Sequence, residues 1–179
     1  MSNTKPLIPL ELLSIFYGAT DFPCVLAAVQ SDHMPTTYQQ LLNHENHMTV
    51  TVETFHDSLV DVKVLEVDSN EEFYARKILL TRQSDEKVVQ FGIVRLNRRL
   101  IPAAALAEIE SQQTPLGRVL IEQDVMRQVQ LDELWHIQPF AELREHFDSS
   151  STTYGRTARL IVNEESAVEL LEIVAPVNE

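Results

Sequence analysis

Phe73-Tyr74-Ala75-Arg76-Lys77-Ile78-Leu79-Leu80-Thr81, a polar break at Gln83-Ser84-Asp85-Glu86, then Val88-Val89-Gln90-Phe91-Gly92-Ile93-Val94-Arg95-Leu96: this stretch decides how the chain folds. Two runs of strand length, rich in aromatic and aliphatic residues, are joined by too few residues to hold a crossover helix. The arrangement predicts an antiparallel hairpin. A second pair of runs, 157–162 and 168–174, is joined by the acidic turn Asn163-Glu164-Glu165-Ser166 and predicts the same. Residues 48–55 and 60–67 both alternate and are crowded with β-branched side chains, so two further half-buried strands are expected, with Asp57-Ser58 near their turn. Val125, Arg127, Val129 and Leu131 suggest another strand, continuing less clearly past Trp135.

Helical patterns gather at the start and the middle. Leu10, Leu12, Leu13, Ile15 and Phe16 recur with helical spacing, and residues 22–29 form a second apolar stretch expected to be a buried helix. Residues 103–110 are alanine-rich and entered through Pro102, and residues 115–122 form another short helix. Ser149-Ser150-Ser151-Thr152-Thr153 is expected as an exposed loop. A parallel doubly wound sheet needs a helix between successive strands, and these are missing. The fold class expected is therefore α+β: a single antiparallel β-sheet with helices packed around it, in one domain spanning residues 1–179.

The formal net charge of −13 makes the general surface a poor partner for nucleic acid or an anionic membrane. An anionic ligand would need arginines gathered locally against that field. The single cysteine, Cys24, cannot form an internal disulfide and fits a reducing cytosol; its apolar surroundings suggest an inert thiol. There is no basic head followed by a continuous apolar run and no stretch near 20 apolar residues, so a cytoplasmic protein without a membrane span is expected.

Thr114-Pro115-Leu116-Gly117-Arg118-Val119-Leu120 places a proline where a helix begins and a glycine inside its first turn. Such a glycine costs about 1 kcal/mol against alanine. Either a ligand approaches bare backbone there, or Gly117 relieves packing against a neighbouring strand. Arg76 stands in an otherwise apolar strand, and Lys77 points to the opposite face, so only one of the two can face out. Glu172, flanked by Leu170, Leu171, Ile173 and Val174, poses the same puzzle, because an unpaired buried charge is costly. Arg76 and Glu172 either serve opposite ends of a polar ligand in one interior cavity or pair with each other. His44 and His47 would share a helix face, but without a second ligand pair no metal site is expected.

Taken in order, these pieces resemble the chorismate pyruvate-lyase (4-hydroxybenzoate synthase) family. The matching elements are Met34 after Ser31-Asp32-His33, Arg76 in its Ala-Arg-Lys-Ile-Leu-Leu run, the segment 114–120, Tyr154-Gly155-Arg156-Thr157-Ala158-Arg159-Leu160, and Leu171-Glu172-Ile173-Val174-Ala175-Pro176. The tryptophan-rich hairpin with a Gly-Arg pair seen in the ubiquinone branch is absent from residues 88–94, and the connection 125–153 is longer, so the chain is more similar to the glycolipid and plastoquinone branch. The resemblance implies an enclosed pocket and a carbon–oxygen lyase that converts chorismate to 4-hydroxybenzoate and pyruvate without metal or organic cofactor. It implies that Arg76 holds the ring carboxylate, helped by backbone amides near Leu116 and Gly117. Glu172 would sit at the far end near the ether oxygen, and Met34 would help close the pocket. A second carboxylate calls for a second cation, for which Arg156 and Arg159 are the candidates. The partners implied are chorismate and 4-hydroxybenzoate alone, on a monomer or small homo-oligomer. The alternative is a module of the same fold that binds or senses an aromatic acid without reacting.

Overall fold

A computed structural model describes residues 5–18, 25–125 and 129–177. Its centre is one seven-stranded antiparallel sheet, which makes the protein α+β. The strands are β1 (Val25–Ala28), β2 (Val60–Ser69), β3 (Phe73–Arg82), β4 (Val88–Asn97), β5 (Gln130–Gln138), β6 (Thr153–Val162) and β7 (Glu165–Val174), in spatial order β1-β5-β6-β7-β4-β3-β2. Local chemistry sets the hairpins. Asn70 Oδ1 accepts from the amides of Glu72 and Phe73 at the β2–β3 turn. Asn163 and Glu164 both adopt positive φ, as a tight β6–β7 turn requires. The last strand, β7, then inserts between β6 and β4, so the C-terminal motif lies in the middle of the sheet.

Both faces are covered. On one face pack α2 (Thr36–Leu42), α3 (Met48–His56), α4 (Ala103–Glu110) and α5 (Leu116–Glu122); on the other pack α1 (Pro9–Phe16) and α6 (Ala141–Phe147). Leu12, Leu13 and Leu143 close over Leu79, Phe91, Ile93, Leu171 and Ile173, while Tyr38, Leu41, Leu42, Met48 and Val52 close over Ile78, Leu80 and Val174. Two-sided cover explains why β3, β4 and β7 are buried along most of their length rather than alternating between buried and exposed. Neither Arg76 nor Lys77 faces solvent. Lys77 lies under α1 and α6, where Nζ contacts Glu142 at 3.0 Å and Glu66 at 3.2 Å and sits 4.7 Å from the centre of the Tyr17 ring.

Residues 48–55, expected as a strand, belong to the helix α3. Met48 and Val52 share its buried side at helical spacing, while Val50 and Phe55 face outward. Thr54 Oγ1 donates to the Val50 carbonyl, four residues back, which keeps a strand-favouring residue satisfied inside a helix. Asp57 then closes α3 in the left-handed conformation rather than turning a hairpin. Residues 25–28, expected within a helix, form the edge strand β1 paired with β5; Cys24 and the rest of 19–24 lie outside the described residues. Arg127 does too, and the strand expected around it begins at Gln130. Thr153 is the first residue of β6, fully buried, with Oγ1 donating to the Val174 carbonyl at 2.7 Å, so the exposed serine loop ends before it. No described helix is long and apolar enough to cross a membrane.

Candidate functional site

Strand register lays out the floor of a pocket under α3 and α5. One rung runs Arg76–Val94–Leu170, the next Ile78–Gly92–Glu172–Arg156, and the third Leu80–Gln90–Val174. Side chains two apart on a strand share a face, so these residues present one surface to the helices. His47, Met48 and Thr49 at the start of α3, and Leu116 and Gly117 at the start of α5, complete the wall. The cavity measures about 30 Å³ in the space open to the centre of a water molecule, room for about two waters. His47 also borders a surface groove lined by Asn46, Val50 and Ile121. A six-membered ring is larger than this space and would have to widen it to bind.

The two arginines on this floor differ in how their charge is met. Arg156, with no exposed surface, donates from Nε to Glu172 Oε2 at 2.7 Å, from Nη1 to the His44 carbonyl at 2.8 Å and from Nη2 to the Asn46 carbonyl at 3.0 Å. The Arg156–Glu172 pair is thus electrically closed and ties β6 and β7 to the loop before α3. The imidazole of His44 sits beside that guanidinium, and burial first, then the Arg156 charge, holds its pKa below the ordinary histidine value. Arg76 is 1% exposed and has no carboxylate within 4 Å among the described residues. Its Nη1 donates to the Ile109 carbonyl at 3.1 Å, and its Nε is buried without a partner. The Tyr74 hydroxyl stands beside it without a well-formed hydrogen bond, and Glu110, next along α4, pairs with Arg98 instead. Burial lowers the Arg76 pKa and the neighbouring Tyr74 opposes that shift. A guanidinium nonetheless stays charged. The floor therefore carries a buried cation without a countercharge.

Of the residues singled out in the sequence, Arg76, Glu172, Leu116 and Gly117 all line this pocket, and Arg156 reaches it through Glu172. The alternative in which Arg76 and Glu172 neutralise each other does not hold, since Glu172 takes Arg156. Gly117 is explained by packing: a Cβ there would lie 2.8 Å from Thr49 Oγ1 and 3.0 Å from His47 Cβ, so the crowding comes from α3 rather than from a strand. Met34 is buried with Tyr38, Leu41 and Ile78 in the core beneath α2 and does not line the cavity. Arg159 is corrected as a site residue. Three positions from Arg156 on the same strand, it points to the opposite face and holds Asp132 through Nε at 2.7 Å and Nη2 at 2.5 Å. His44 lies in the loop after α2 and His47 just before α3, so they do not share a helix face. Sequence reasoning missed Gln90 and Gly92 and weighed His47 only as a metal ligand. Gln90 and Gly92 had a visible signal: they fall in phase with Val94 on the pocket-facing side of an apolar strand.

No protein-family model matches this chain, and no curated protein matches it.

Proposed function

We propose that this protein is a chorismate pyruvate-lyase, releasing 4-hydroxybenzoate and pyruvate from chorismate without metal or organic cofactor. The observation that carries the proposal is Arg76: a buried guanidinium on a cavity wall, lacking a carboxylate among the described residues, in a rung next to that of Glu172. A guanidinium accepts a carboxylate through two parallel hydrogen bonds, and Arg76 offers Nε for this purpose. The order of motifs along the chain adds the particular substrate.

The reaction breaks the bond between the ether oxygen and ring carbon 3, and the electron pair leaves with the enolpyruvyl group. Ring carbon 4 loses its hydrogen as a proton, and the ring becomes aromatic. The departing enol takes up a proton on carbon and becomes pyruvate, so no proton is gained or lost overall. The phenol oxygen of the product is the hydroxyl already on carbon 4, while the ether oxygen departs. In this reading Arg76 fixes the ring carboxylate, and the walls hold the reactive conformer. Glu172, whose Oε1 has no hydrogen bond among the described residues, carries the proton from carbon 4 to the enol.

One observation favours a second reading. Arg156 is committed to three acceptors and Arg159 lies on the other face, so among the described residues the floor offers one free cation, which suits a monocarboxylate. The protein would then bind an aromatic acid such as 4-hydroxybenzoate without reacting. Incubating purified protein with chorismate and following 4-hydroxybenzoate and pyruvate separates the two. Turnover above the spontaneous rate is expected, with Arg76→Ala losing most of it and Glu172→Gln keeping affinity better than turnover. No consumption of chorismate, together with tight 4-hydroxybenzoate binding by calorimetry, would select the second reading.

A further inference from the structure

Gln90 is 3% exposed, lines the cavity, and its Oε1 is buried without a hydrogen-bond partner among the described residues. Its rung neighbours are Leu80 and Val174, so the fold at this point would accept an aliphatic side chain. A buried acceptor left unmet lowers the stability of the free protein. Its place relative to the charged groups is informative. Along β4 the rung of Arg76 lies four residues from Gln90, about 13 Å at the rise of an extended strand, and the rung of Glu172 lies midway between them. Gly92 occupies the centre of this triangle and contributes no side chain to the floor. The Ile78 side chain packs over Gly92, its Cδ1 3.2 Å from where a Cβ would stand, so a ligand anchored by a carboxylate on Arg76 and lying along β4 against Ile78 would present its far end to Gln90.

We propose that Gln90 is the specificity-determining residue that accepts a hydrogen bond from a ring hydroxyl placed para to the carboxylate held by Arg76. The inference rests on the Arg76–carboxylate contact of the proposed function but not on turnover. The ligand class is a 4-hydroxylated six-membered ring acid, aromatic or cyclohexadienyl. Ring acids without that hydroxyl leave the amide unmet and bind more weakly.

Calorimetric titration with 4-hydroxybenzoate and with benzoate, on the wild type, Gln90→Leu and Gln90→Met, tests this. The wild type is expected to prefer 4-hydroxybenzoate by about tenfold or more, the scale of one buried hydrogen bond. In both variants the preference is expected to fall to near parity, with benzoate affinity little changed. The thermal midpoint of the free Gln90→Leu protein is expected at or above that of the wild type. A preference that persists in the variants overturns the assignment, as does a wild type that binds neither acid or binds both equally. Unfolding of both variants would make Gln90 structural and overturn it as well. Chorismate consumption, assayed on the same preparations, keeps the two proposals apart. A hydroxyl preference lost in the variants of a protein that leaves chorismate untouched ends the lyase proposal alone. Turnover with a preference unchanged in the variants ends the Gln90 proposal alone.

Discussion

Two buried arginines on one sheet face should respond to the same substitution with opposite signs. Arg156→Met strands Glu172 in the interior and removes the donor from two backbone carbonyls, which is expected to destabilise the fold by about 3–5 kcal/mol. Arg76→Met removes a charge that no carboxylate among the described residues meets and a buried Nε without an acceptor there. The one hydrogen bond lost, to the Ile109 carbonyl, leaves that oxygen satisfied, because the Gln112 amide donates to it at 3.2 Å. Desolvating an ion costs several kcal/mol and a charged hydrogen bond returns about 1.5–3 kcal/mol, so the free protein should gain roughly 1–3 kcal/mol. For a chain of this length that is a rise of about 2–12 °C in the thermal midpoint. Urea unfolding followed by Trp135 fluorescence, without ligand, measures both variants. Calorimetry should show 4-hydroxybenzoate binding to Arg76→Met weakened by about 100-fold or more, near 2.7 kcal/mol. If Arg76→Met destabilises the protein as severely as Arg156→Met, Arg76 is a structural group, and the reasoning that makes its free charge a ligand anchor is refuted.

Gly155→Ala would place a Cβ 2.7 Å from the Glu172 carbonyl oxygen and 2.9 Å from Ile137 Cδ1; backbone cannot yield cheaply, and a loss of about 3 kcal/mol in urea unfolding is expected. Gly18→Ala, with nothing within 4 Å, is the control and should change stability by less than about 0.5 kcal/mol. The pKa values of His44 and His56 both lie below the ordinary histidine value, in each case by burial first and a neighbouring arginine second. Between that lowered value and about 6.5 the unfolded chain binds more protons than the folded one, so stability present above about pH 6.5 is lost as pH falls through the folded values. Urea midpoints at pH 7.5 and 5.5 should differ more for the wild type than for His44→Gln/His56→Gln; equal differences would remove these histidines from the pH response.

The hairpins and the helices around prolines were legible because their determinants are local. Asn163-Glu164 between two apolar runs, and Pro102 and Pro115 ahead of helical ones, act within a few residues of themselves. Residues 48–55 misled because Thr and Val favour strands when judged alone. What overrides that preference is a partner distant in sequence: Met48 and Val52 pack into a core with Val60, Ile78 and Leu80, and Glu53 accepts from the Val60 amide. Arg76 and Glu172 were visible as charges out of place in apolar strands. Their partners were not, because pairing across β6 and β7 depends on register.

Residue order alone determined the class of fold, the β3–β4 and β6–β7 hairpins and the suspicion that Arg76 and Glu172 carry more than structure, since each follows from side chains adjacent along the chain. Only the tertiary structure decided that β7 lies between β6 and β4. The β6–β7 register makes Arg156 the partner of Glu172, and the insertion beside β4 sets that pair in the rung between those of Arg76 and Gln90, whose Nε and Oε1 are unmet among the described residues. The physical reason is that strand alternation fixes which residues share a face, while the choice of neighbouring strands, and so of charge partners, is made by burial of surfaces far apart in sequence.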